Sequence, residues 1–155
     1  MCVNIAYLIR GIRYIFLFKY RLERGMPMYK RYNPNPIAAR VGDCTVRAIS
    51  KATDQTWQYT YVQLCLYGLL MSDMPSANSV WGAYLLDIGF SRKMVPDVHG
   101  KIYTVSDFAR EHQKGIYILA LSGHVVALVD GDWYDTWDSG QEIPLYYWHK
   151  KEESA

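Results

Sequence analysis

A chain of 155 residues, half of them apolar, is long enough for one domain around one core, and nothing in it suggests a second. A net charge of +2 is too small to imply a nucleic-acid partner. Three cysteines, Cys2, Cys44 and Cys65, are too sparse for a disulfide framework and fit a reducing, cytoplasmic setting. No CxxC or HxxxH spacing occurs, so no metal site is expected, and His99, His112 and His149 read as polar surface.

Taken in chain order, the first segment differs in charge from the rest. Residues 1–31 hold seven Lys or Arg against the single Glu23, while the remainder, with ten Lys or Arg against fourteen Asp or Glu, stands at −4. Ile5, Leu8, Ile12, Ile15 and Phe16 recur at helical spacing, but Arg10 and Arg13 interrupt them too early for a transmembrane span. Two readings of residues 1–28 stand side by side. One is a basic amphipathic extension, which would give residues 1–25 a membrane-surface role. The other is a misassigned start: Glu23-Arg24-Gly25 is encodable by purine-rich codons resembling a ribosome-binding site, ahead of Met26 and Met28. The domain itself is expected over residues 29–150, with 151–155 as a tail.

Asn33-Pro34-Asn35-Pro36 is an extended approach, because each proline turns the preceding residue away from helical geometry. Gly42-Asp43 then starts a helix, with Asp43 as N-cap and Cys44 in the first turn. Val46, Ile49 and Thr53 form its apolar stripe, leaving Arg47 and Lys51 on the wetter side. A second helix runs from Thr56 to Leu70 with Tyr59, Val62, Leu66 and Leu69 at core spacing and Cys65 buried within it. A third spans about 79–88 and stops at Gly89; a fourth, capped by Thr104 or Ser106, covers about 104–110. Beyond Gly115 the period shortens. Residues 116–121, 125–129, 133–137 and 145–148 are β-branched or aromatic runs separated by Ser122-Gly123, Asp130-Gly131 and Ser139-Gly140. The expected layout is α+β, with helices first and a C-terminal antiparallel sheet second. The many tyrosines and tryptophans read as core and sheet packing rather than a groove.

Cys44 opening a helix and His124 opening a strand, with a carboxylate on the next strand, form the order of a thiol nucleophile, its base and the group orienting the base. A helix N-terminus favours thiolate, and an adjacent imidazolium favours it further. Asp43 opposes this unless its carboxylate is occupied in capping. A tight turn at Asp130-Gly131 returns residues 137–139 opposite His124, so Asp138 is preferred as the third residue, with Asp135 the alternative should a one-residue bulge intervene.

These features, Gly42-Asp43-Cys44, the Gly123-His124 strand and Asp135-Thr136-Trp137-Asp138, resemble the papain-like cysteine peptidase superfamily over about residues 33–149. They are most similar to the peptidases that remove double-glycine leaders and to small papain-like proteins of bacteriophages and gut bacteria. The resemblance implies a papain-like α+β fold and a peptidase acting on a peptide or isopeptide bond of a peptide or protein substrate. It further implies no cofactor and a bacterial or phage-infected host cytoplasm. Carried over, Cys44 is the nucleophile, His124 the base and Asp138 the orienting residue. One departure is visible: many members carry a glutamine before the cysteine as oxyanion donor, whereas this approach has Asn33 and Asn35. The Cys44 N–H is one available donor and Asn35, if its loop folds back, another; both asparagines also suit turns. A catalytically silent binding module, a cell-wall amidase or endopeptidase, and an acyl transfer to an amine remain as other readings.

Overall fold

The structure is a computed structural model that describes residues 25–96, 100 and 102–150. Expectations placed on Cys2, on the apolar residues of the first segment, on His99 and on the tail therefore lie outside the described residues.

Four helices follow the boundaries read from the sequence. Helix α1 spans Cys44–Thr53, α2 spans Trp57–Met71, α3 spans Asn78–Asp87 and α4 spans Val105–Glu111. Thr56 caps α2 by accepting from the Tyr59 N–H at 3.2 Å. Thr104 and Asp107 form a reciprocal capping box on α4, so Thr104 is the cap. Among the described residues no helix is long and apolar enough to cross a membrane.

The six strands are β1 (Tyr29–Arg31), β2 (Phe90–Met94), β3 (Ile116–Leu121), β4 (His124–Val129), β5 (Asp132–Asp135) and β6 (Tyr146–Lys150). They form one sheet in the order β1-β5-β4-β3-β6-β2. The class is α+β, but the sheet is mixed rather than antiparallel throughout, and it is not wholly C-terminal. Strand β1 pairs in parallel with β5, Tyr29 beside Trp133 and Arg31 beside Asp135, while β2 closes the far edge against β6.

The sheet is packed on both faces. Val46, Ile49, Leu64, Trp81 and Leu85 of α1–α3 lie with Ile118, Val125, Ala127 and Trp148 on one side. Val105, Phe108 and Ala109 of α4 lie with Leu119, Val126, Leu128 and Trp133 on the other. Most of the aromatic residues serve these two cores. His112, expected at the surface, is half-buried with its ring stacked 3.8 Å from that of Phe108.

Two helix faces differ from the periodicity reading. Helix α1 is buried nearly all round, including Thr45, Arg47 and Ser50, because it lies between the sheet and α2. Helix α2 buries Thr60, Leu64 and Gly68 and leaves the expected core stripe of Tyr59, Val62, Leu66 and Leu69 exposed. Its sequence is apolar on every side, so a helical stripe can be traced along more than one face, and the packing partner alone decides which is covered. Cys65 is half-buried rather than enclosed.

Candidate active site

Three elements bring the site together. Cys44 is the first residue of α1, His124 the first of β4 and Asp135 the last of β5. The Cys44 thiol stands close enough to the His124 imidazole, the Val125 N–H and the Thr45 hydroxyl for each to act on the sulfur. On its other side the imidazole meets Asp135, Nε2 to Oδ2 at 2.5 Å, which leaves Nδ1 as the nitrogen for the thiol. Trp137 stands against the imidazole with ring centroids 5.4 Å apart.

Burial alone would raise the Cys44 thiol, but the hydrogen bond and charge of His124, with the Val125 and Thr45 bonds, outweigh it and hold the thiol below its ordinary value. Burial alone would lower His124; the hydrogen bonds its ring donates to Asp135 and Cys44, with their charges, reverse that and push the imidazole up to about 9. Each member of the pair thus favours its charged form in the other. The arrangement favours a thiolate beside an imidazolium.

The structure brings Cys44 and His124 together as the sequence order suggests and puts Asp135, not Asp138, on the imidazole. The reason lies in the hairpin. Asp130 and Gly131 both have positive φ, 50° and 87°, as a two-residue turn requires, and fix Val129 opposite Asp132. That register would set residue 137 opposite His124 only if the ladder continued. It ends at the Ala127–Tyr134 pair; Asp135 is paired only with Arg31 of β1, and the chain bends at Thr136 and Trp137. Asp138 does not meet the imidazole; its Oδ1 accepts from Trp133 Nε1 and from the Gly140 N–H, each at 3.0 Å. A Cβ on Gly140 would fall 2.7 Å from the Trp133 ring, so this corner is close-packed and keeps Asp138 in place.

Asp43 does not cap α1 with its side chain. It is 7 % exposed, and its carboxylate accepts from the Arg47 guanidinium, from Trp57 Nε1 at 2.9 Å and from Asn35 Nδ2 at 3.4 Å. Asn35 is also buried, and its Oδ1 accepts the Ile37 and Ala39 N–H groups. It organises the approach loop and meets Asp43 rather than Cys44. Arg47, which periodicity puts on the wet side, is 9 % exposed and also faces Asp135, Nη2 to Oδ1 at 3.8 Å. Only the spacing of Asp43 and Arg47, four apart at a helix start, signals this pair in the sequence.

Next to the start of α1 lies a cavity of about 690 Å³, bordered by Asp43 and Thr45 and walled by Ile37, Val41, Trp57, Tyr61, Leu64 and Met74. Its lining is mostly apolar, and neither Cys44 nor His124 forms part of it. No family model matches the chain, and neither a curated protein nor a solved structure matches it significantly.

Proposed function

We propose that the protein is a papain-like cysteine hydrolase that cleaves a peptide or isopeptide bond through a thioester on Cys44. The observation that carries this reading is the row Cys44–His124–Asp135, assembled from a helix start and two strand ends, with the thiol held low and the imidazole high. In the first half-reaction the thiolate adds to the carbonyl carbon, and the His124 imidazolium gives its proton to the departing amine as the C–N bond breaks. In the second, neutral His124 takes a proton from water, the hydroxide oxygen adds to the thioester carbon, and the C–S bond breaks to release the acid and restore the pair. Asp135 keeps the ring oriented through both steps. The Cys44 N–H at the helix start supports the oxyanion. The cavity beside the start of α1 suits an apolar side chain of the substrate.

The test joins thiol labelling with a peptide-library cleavage screen. Cys44 should react with an electrophilic peptide probe far faster than Cys65, in a manner lost in His124→Ala, and the library should yield a cleaved bond. Fast, His124-dependent labelling without any cleavage would favour transfer to an amine over hydrolysis. Equal labelling of Cys44 and Cys65 would overturn the enzyme reading in favour of a silent binding module.

A further inference from the structure

We infer that the buried row Asp43–Arg47–Asp135 ties the imidazole's partner to the nucleophile helix and sets the charge against which the Cys44–His124 pair gains and loses protons. Arg47 stands three residues after Cys44, so one helix carries both the nucleophile and the cation. Its guanidinium bonds Asp43 on one side and faces Asp135 Oδ1 at 3.8 Å on the other, while Asp135 Oδ2 holds His124. All three charged side chains are nine-tenths buried or more.

Such a row is a poor device for stability alone. An apolar side chain of similar volume at position 47 would fill the space without the desolvation penalty of an ion. Its effect on charge is direct. Two carboxylates and one guanidinium sum to −1, which one imidazolium balances. Without Arg47 the imidazolium and the thiol would face −2 in a dry environment.

The groups facing the row come from every element packed on it. They are Asn35 and Asp43 from the approach, Cys44 and Arg47 from α1, Trp57 from α2, His124 from β4 and Asp135 from β5. Tyr29 of β1 donates its hydroxyl to the Asp135 carbonyl at 3.3 Å, and the charges of Arg31 and Asp138 reach that tyrosine. Within the row itself, Arg47 is the sole cation among these described residues.

Both proton losses from the pair make the site one charge more negative. Removal of a nearby cation therefore raises the pH of each, and removal of a nearby anion lowers it. Asp43 and Arg47 contact neither Cys44 nor His124 in the hydrogen bonds described, so their effect is that of positioning residues. The inference does not depend on hydrolysis, because thiol alkylation reads the pair directly.

The experiment is the rate of Cys44 alkylation by iodoacetamide in the full chain across the pH range, resolved from Cys2 and Cys65 by peptide mass spectrometry. Arg47→Met should move the midpoint up by about one pH unit, Asp43→Asn should move it down by a similar amount, and Arg47→Lys should stay near wild type. Asp43→Asn keeps an acceptor for Trp57 and decides the matter alone if Arg47→Met fails to fold. A midpoint in Asp43→Asn that stays put or rises, in protein that melts like wild type, would overturn the inference, as would shifts of the same sign in Asp43→Asn and Arg47→Met. A merely structural role would change melting and leave the midpoints alone.

Discussion

Helices α1 and α2 are neighbours in sequence and in space, and their composition and burial run in opposite directions. Helix α1 reads Cys-Thr-Val-Arg-Ala-Ile-Ser-Lys-Ala-Thr, with five polar or charged residues besides its cysteine's thiol, and is buried almost all round. Helix α2 is nearly all apolar or aromatic, yet Leu69 is 76 % and Leu70 82 % exposed. Hydrophobicity sets what a helix gains by being covered, while the layer order of the fold sets whether it is covered. Helix α1 lies on β4 and against β3 and β5, so it can present Cys44 to His124 and Arg47 to Asp135 from the protein interior. Helix α2 is the outer layer and fully buries Thr60, Leu64 and Gly68, with Tyr67 packed in part against the core and Trp57 at the site's edge.

This contrast makes the polar residues of α1 the sensitive ones, and the largest effect is expected at its first residue. Cys44→Ala should lower turnover by on the order of 10⁴-fold or more, with melting close to wild type, as measured by cleavage assay and calorimetry. Residual turnover near wild type would remove α1 from the chemistry altogether. Asp135→Asn keeps the shape of the site and should lower turnover by about 10² to 10⁴-fold. Asp138→Ala should leave turnover standing and instead destabilise the fold by about 1 to 3 kcal/mol, since it orphans the Trp133 indole N–H and the Gly140 N–H. The reverse pattern would restore Asp138 as the orienting residue.

The pH dependence follows from the pair that α1 and β4 share. His124 has a folded-state value of about 9 against an ordinary 6.5, so it contributes stability in full below pH 6.5 and loses that contribution as the pH rises through about 9. Cys44 is lowered from 9.0, so its contribution is present above that value and is lost as the pH falls through its depressed value. The His124 ring should titrate near pH 9 by NMR, and the melting difference between wild type and His124→Gln should shrink from pH 6.5 to above 9. A ring midpoint near 6.5 would mean that the pair does not form.

Packing sharpens the comparison further. Ile49→Ala in α1, at a fully buried position, should destabilise by about 2 to 5 kcal/mol in denaturant melts. Leu70→Gln in α2 should change stability by no more than about 0.5 kcal/mol, the smallest effect of the series. A large loss at Leu70 would show that the outer face of α2 is covered in solution.

Much of this was legible without coordinates. Capping residues, glycine stops and the change of period after Gly115 locate all four helices and β3 to β6, because each rests on local backbone chemistry. Cys44 at a helix start and His124 at a strand start are local facts of the same kind. What was not legible depends on contacts between distant segments. Strand β1 has three residues, too few for a period, and exists because β5 is beside it. Strand β2, with Ser91, Arg92 and Lys93, lacks an apolar run and is paired on one side only. The choice between Asp135 and Asp138 turned on where the β4–β5 ladder stops, which the turn sequence does not encode. The burial of Arg47 required two carboxylates from different parts of the chain to meet it.

The parallel pairing of β1 with β5 also orders the site in time. Tyr29 and Asp135 are 106 positions apart, and the Tyr32 N–H and the Tyr29 hydroxyl both bond the Asp135 carbonyl, at 2.7 and 3.3 Å. During synthesis β1 leaves the ribosome before any of its partners, and it has nothing to pair with until β5 has followed. The residue that steadies the imidazole is therefore fixed from behind only when nearly the whole domain has emerged. Contacts of such long sequence separation are among the slowest to close, so a nascent chain carries its thiol long before it carries a completed site.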